Sequence, residues 1–90
     1  MKSTVHVVIS GRVQGVWFRA NTKQKAEQLG VTGWVKNTAD GKVEALFEGD
    51  KKHIQEMIDW CHQGPPLAQI DHVEITEQPV SNGFDGFSIK

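Results

Sequence analysis

The residues best suited to chemistry in this chain are an arginine and an asparagine, not its histidines or its cysteine. Arg19 ends the segment Gly11-Arg12-Val13-Gln14-Gly15-Val16-Trp17-Phe18-Arg19, which joins an apolar β-branched run to a stretch of helical spacing. A glycine-bearing loop in that position can turn backbone N–H groups inward, and the first N–H groups of a helix have no intrahelical acceptor. The helix dipole adds partial positive charge at the same place, which suits phosphate. A guanidinium there can fork onto two phosphate oxygens, as an ammonium cannot. Two familiar phosphate loops are excluded, because the Gly-Lys-Ser/Thr ending and a third spaced glycine are both missing. A tight turn followed by a surface arginine would use the same residues.

Asn37 stands where a second apolar run meets Thr38-Ala39-Asp40-Gly41. Asparagine is common at such junctions. Its amide can also donate and accept hydrogen bonds, and so hold a water without adding charge. His6, His53, His62 and His72 form no metal-site spacing with one another or with Cys61, the only cysteine. Cys61 falls on the apolar stripe of a helix and reads as a small core residue, with no intrachain disulfide possible.

These groups must be positioned by local elements. Residues 4–10 read as a strand, Gly11–Gly15 as a loop, and about Arg19–Leu29 as a helix with Phe18, Thr22, Ala26 and Leu29 on one face. Gly30 suits the position after that helix. Strands follow over 31–37 and 42–49, joined by an Asp40-Gly41 turn. Asp50 caps a second helix whose stripe is Ile54, Met57, Ile58 and Cys61, and Gly64-Pro65-Pro66 ends it. Strand 69–76 carries an irregularity, because Ile70, Val73 and Ile75 break alternation; a turn-rich stretch then leads to a short strand at 87–90.

The order is βαββαβ with a short extra C-terminal strand, an α+β ferredoxin-like sandwich with two helices on one face of a mixed, largely antiparallel sheet. The right-handed crossover makes strands 1 and 2 parallel, with strand 3 between them and antiparallel to both. Segments 11–19 and 37–41 therefore emerge at one sheet edge and face each other. The last strand is expected to run back toward that edge, bringing the Lys90 carboxylate.

With these elements in place, the motifs resemble a known family. Gly11 to Arg19, preceded by Ile9, is similar to the first acylphosphatase signature. Gly33-Trp34-Val35-Lys36-Asn37, followed by Gly41, Val43 and Gly49, is similar to the second, and together they cover about a third of the chain. The resemblance implies that the loop amides of Gly15, Val16, Trp17, Phe18 and Arg19, with the Arg19 guanidinium, bind the phosphate of an acyl phosphate. It implies that Asn37 orients the attacking water, with no metal, no cofactor and no phosphoenzyme. Inorganic phosphate would then be a product ligand. Trp17 either lines the acyl side of the site or packs over its own loop. Arg12 and Lys36 either add field for an anion or are solvated, and Thr22 either supports the site or packs at the core edge.

Bulk properties fit this picture. Ninety residues with 38% hydrophobic and 23% charged residues suit one soluble domain over 1–90, with monomer and cytoplasm as the expectations. No run of about 18 apolar residues or signal-peptide pattern occurs, so no membrane partner is expected. The net charge of −1 gives no reason to expect nucleic acid. It is unevenly spread: residues 1–39 hold six basic groups and one acid, and residues 40–90 hold four basic groups and ten acids. That suits a small anion bound by the N-terminal half, and equally two differently charged solvated faces. RNA-recognition domains share the element order, but strand 3 here is acidic and lacks their aromatic pattern. A non-catalytic module binding acyl or carbamoyl phosphate is the alternative to an enzyme; the free-standing length and intact Arg19 and Asn37 favour the enzyme.

Overall fold

Alternation of β-branched residues makes Lys2–Arg12 a strand, β1, whose odd positions Val5, Val7 and Ile9 are buried. In the computed structural model, which describes residues 1–90, it is followed by α1 (Phe18–Leu29), β2 (Thr32–Asn37), β3 (Val43–Asp50), α2 (Lys51–Gln63), β4 (Gln69–Gln78) and β5 (Phe87–Ile89). The sheet order is β4-β1-β3-β2-β5, with only the β2–β5 pair parallel. Both helices cover one face, so the ferredoxin-like sandwich holds, with β1 and β2 parallel and β3 between them.

The core lies between that face and the helices. Val43, Ala45 and Phe47 of β3 and Val35 of β2 point into it beside Phe18 and Ala26 of α1 and Ile54, Met57 and Cys61 of α2. Burial pushes the Cys61 thiol up to about 12, which leaves it an inert packing group. Asp50 caps α2, its carboxylate accepting from Lys52 N–H at 3.0 Å. Trp60, outside the expected stripe, packs a ring against Phe18 with centroids 5.3 Å apart.

The end of β1 differs from expectation. The segment Gly11–Gly15 is not all loop: β1 continues to Arg12, so the connection to α1 is only residues 13–17. The pairing with β4 survives there because of a bulge. Ser10 faces His72 while Gly11 faces Ile70, leaving Asp71 as the extra residue. The bulge is the irregularity expected in strand 4, and it returns Ile70, Val73 and Ile75 to one face. Gly11 has φ 129°, and a Cβ there would lie 2.1 Å from the Gln69 carbonyl oxygen, so only glycine fits.

The opposite sheet face has no helix, yet Glu48 on it is only 1% exposed. Its carboxylate accepts from Thr4 Oγ1 at 2.6 Å, Ser81 N–H at 2.8 Å and Asn82 N–H at 3.0 Å. These donors fasten the segment leading into β5, and they hold the Glu48 carboxyl below its ordinary value, the Thr4 hydroxyl contributing most. A depressed folded-state pKa adds stability that is full above the ordinary 4.5 and disappears as pH falls through the folded value. Glu48→Ala should lower stability by about 2 kcal/mol at neutral pH, because the buried Thr4 hydroxyl and the part-buried Ser81 and Asn82 N–H groups lose a charged acceptor. Denaturant unfolding at pH 7 and at pH 3 checks this: the difference between variant and parent should shrink at the lower pH.

Candidate active site

The connection from β1 to α1 is anchored by two valines three residues apart. Val13 and Val16 are buried at 1% and 3% exposure, while Gly15 and Trp17 face outward. This folding back requires left-handed backbone, with φ 75° at Gly15 and φ 65° at Trp17. Glycine accepts that conformation freely, but tryptophan pays about 1–2 kcal/mol. Asn21 holds the tryptophan there: its side-chain amide and its backbone N–H both donate to the Trp17 carbonyl, at 2.8 and 3.1 Å.

Trp17 is also the N-cap of α1, with no side-chain cap. The N–H groups of Gly15, Val16 and Trp17 donate to no protein acceptor, and those of Phe18 to Ala20 precede the first intrahelical bond. Arg19 sits in this first turn, which contains no acid. A cation there opposes the helix dipole by roughly 0.3–1 kcal/mol. Its guanidinium forms no ion pair and no hydrogen bond within the protein. Uncapped amides and an unpaired guanidinium at a helix N-terminus are poor for stability and well suited to an anion.

Asn37, the last residue of β2, comes to the same place. It pairs with Val43 and shares the helix-facing side of the sheet with Val35. It lines one pocket of about 350 Å³ with Val13, Gly15, Trp17, Phe18, Arg19, Ala20 and Ile89. Its half-buried carboxamide makes no hydrogen bond within the protein, so donor and acceptor both remain free in the pocket. Of the expected phosphate-loop residues, Val16 is the one outside the pocket lining, and both its side chain and that of Phe18 are buried in the core.

Gln14, which carried no expectation of its own, locks the two halves together. Its Nε2 donates to the carbonyls of Thr38 and Lys42, at 2.8 and 2.9 Å. Those carbonyls belong to the turn after Asn37, which Thr38 closes: its N–H donates to Lys42 O at 2.8 Å, its hydroxyl accepts from Lys42 N–H at 3.0 Å and donates to Asp40. Nothing in the local pattern around Gln14 signals a partner 24 or 28 residues away. Gln14→Ala should reduce kcat/KM about tenfold by letting the loop drift from Asn37, since small misplacements at a reacting centre cost rate steeply. Steady-state kinetics beside a melting curve checks this, the kinetic loss being expected even at temperatures well below melting.

Other candidates lie elsewhere. Lys36 points to the helix-free face, 3.5 Å from Glu44 and over the Trp34 ring. Arg12 is exposed and outside the pocket lining. Thr22 is buried and donates to Phe18 O at 2.7 Å, a packing role. β5 does run toward the site edge, but it contributes the apolar Ile89 to the pocket; the Lys90 ammonium lies over Trp34, 4.6 Å from the ring centroid. His6 bonds Glu44 at 2.6 Å on the same helix-free face, remote from this chemistry.

Comparison with known proteins identifies the family and the fold. The family model for acylphosphatase matches residues 5–89. An acylphosphatase of Rubrobacter xylanophilus is 52% identical over 86 residues, covering 96% of this chain and 78% of that protein. One from Pelotomaculum thermopropionicum is 47% identical over 88 residues, covering 98% and 96%. The solved structure of an acylphosphatase from Coxiella burnetii superposes with a TM-score of 0.94 at 38% identity, covering 99% of this chain and 93% of that one. No helix is long and apolar enough to cross a membrane. With a match across nearly its whole length, this chain belongs to the acylphosphatase family.

Proposed function

We propose that this protein hydrolyses the carboxyl–phosphate bond of acyl phosphates, releasing carboxylate and inorganic phosphate by direct attack of water. The observation that carries the proposal is the meeting of Arg19, Asn37 and an uncapped amide-bearing loop in one pocket. In this reading the Arg19 guanidinium and the N–H groups of residues 15–19 hold the phosphoryl oxygens. Phosphoryl transfer asks the protein mainly to position reactants and to stabilise charge on those oxygens. The Asn37 carbonyl oxygen accepts from the attacking water while its NH2 steadies the same assembly.

The leaving group explains why no acid is needed. A carboxylic acid has a pKa of roughly 4, so the carboxylate departs without being protonated. The pocket's polar side chains are a guanidinium and a carboxamide, which supply no strong general acid and need none for this bond. A monoester alkoxide is far more basic and should leave poorly. The same reading takes a single domain over 1–90, acting as a cytoplasmic monomer, with inorganic phosphate as product ligand and neither nucleic acid nor membrane as partner.

The test is hydrolysis of benzoyl phosphate beside p-nitrophenyl phosphate, with chelator present. Rapid loss of benzoyl phosphate alone is expected. A folded protein that binds inorganic phosphate but turns over neither compound would make the chain an acyl phosphate-binding module instead.

A further inference from the structure

We infer that Trp17 and Ile89 form a subsite for the acyl group, and that this protein selects acyl phosphates whose acyl group is compact, apolar and preferably aromatic. The inference rests on the hydrolytic reading above and names its substrate class.

Few large apolar side chains are strongly exposed, but two of them meet at this site. Trp17 is 74% exposed and Ile89 43% exposed, and both line the pocket that holds Arg19 and Asn37. They reach it from opposite ends of the chain. Trp17 is presented by a strained left-handed residue, clamped through its carbonyl by Asn21. Ile89 is presented by a three-residue strand fastened at both ends: Phe87 is buried and stacks on Phe47, with centroids 5.9 Å apart, and Lys90 N–H bonds Val35 O at 2.8 Å. Both side chains are thus held in place yet left uncovered.

The charge around the pocket narrows the class. Arg19 is the only charged residue lining it. Of the neighbouring cations, Lys23 is engaged with Glu27 and the Phe87 carbonyl, Lys36 with Glu44 and Trp34, and Lys90 lies over Trp34, while the exposed Arg12 stands outside the pocket lining. A second carboxylate on the acyl group would find no cation after Arg19 is committed to phosphate, and an amine would find no acid. A flat ring finds an indole to stack on and a branched aliphatic side chain beside it. The volume of about 350 Å³ is at the small end of ligand pockets, which run from about 300 to 1,000 Å³.

The experiment compares kcat/KM for benzoyl phosphate with that for acetyl phosphate, in the parent protein, Trp17→Asn and Ile89→Thr. Asparagine tolerates the left-handed backbone at position 17, and threonine keeps strand character at position 89. The ratio cancels any damage common to both substrates. It should favour benzoyl phosphate at least tenfold in the parent. It should fall by about tenfold in Trp17→Asn and about threefold in Ile89→Thr, the range by which small changes in an apolar pocket discriminate substrates, with the loss appearing in the KM for benzoyl phosphate. A parent ratio near one, or a ratio unchanged in both variants while both substrates are still hydrolysed, overturns the subsite. Failure of the parent protein to hydrolyse either substrate overturns the hydrolytic reading itself.

Discussion

Arg19→Ala is expected to leave a folded protein with kcat/KM for benzoyl phosphate lowered by about 10⁴-fold. An arginine that stabilises a transferring phosphoryl group is worth about 10³–10⁵ in rate. Two features put Arg19 toward the upper half of that range. Its guanidinium has no partner within the protein, so none of its binding capacity is diverted, and the loop amides beside it carry no full charge. Arg19→Lys keeps the charge but loses the fork, and should recover only part of the activity. The stability outcome is equally specific. A cation in the first turn opposes the helix dipole, so removing it should leave the melting temperature unchanged or slightly raised. Steady-state kinetics and a thermal melt on one preparation read both. Near-parental kinetics in a folded Arg19→Ala protein would refute the assignment.

Asn37→Ala should cost about 10²–10³-fold in kcat, while inorganic phosphate inhibits as strongly as before. Losing one well-placed hydrogen-bonding side chain from a reacting centre has that scale of effect on turnover. Phosphate affinity should survive because Arg19 and the loop amides belong to a different element from β2. Asn37→Asp makes a sharper contrast: shape is kept, but a carboxylate then faces the phosphoryl oxygens. Turnover and phosphate affinity should both fall. Inhibition constants for phosphate measured beside kcat separate the two roles. Weakened phosphate binding with kcat intact in Asn37→Ala would show that this side chain holds the anion, not the water.

Both predictions concern residues legible in the chain, and the reason lies in what local pattern records. Val5, Val7 and Ile9 alternate as a half-buried strand must, and Phe18, Thr22 and Ala26 recur as a helix face must. With element order known, crossover handedness leaves little freedom about which strand ends lie together. Arg19 and Asn37 could therefore be placed at one edge despite the helix between them. The bulge in β4 was legible for a similar reason, since Ile70, Val73 and Ile75 share a face only if one residue is left over. The end of β1 was not legible: glycine usually marks a turn, and Gly11 is instead a strand residue squeezed against the Gln69 carbonyl.

Element order, the positive helix start at Arg19 and the pairing of that start with Asn37 were thus determined by the amino-acid sequence alone, because periodicity, turn chemistry and chain handedness act over short range or through topology. Which side chains complete the site was decided only by the tertiary structure. Gln14 bonds carbonyls 24 and 28 residues away, and Ile89 reaches the pocket through a strand that Phe87 anchors in the core. The direction of each depends on strand register and on the space left by distant neighbours, and neither is recorded in the residues on either side of it.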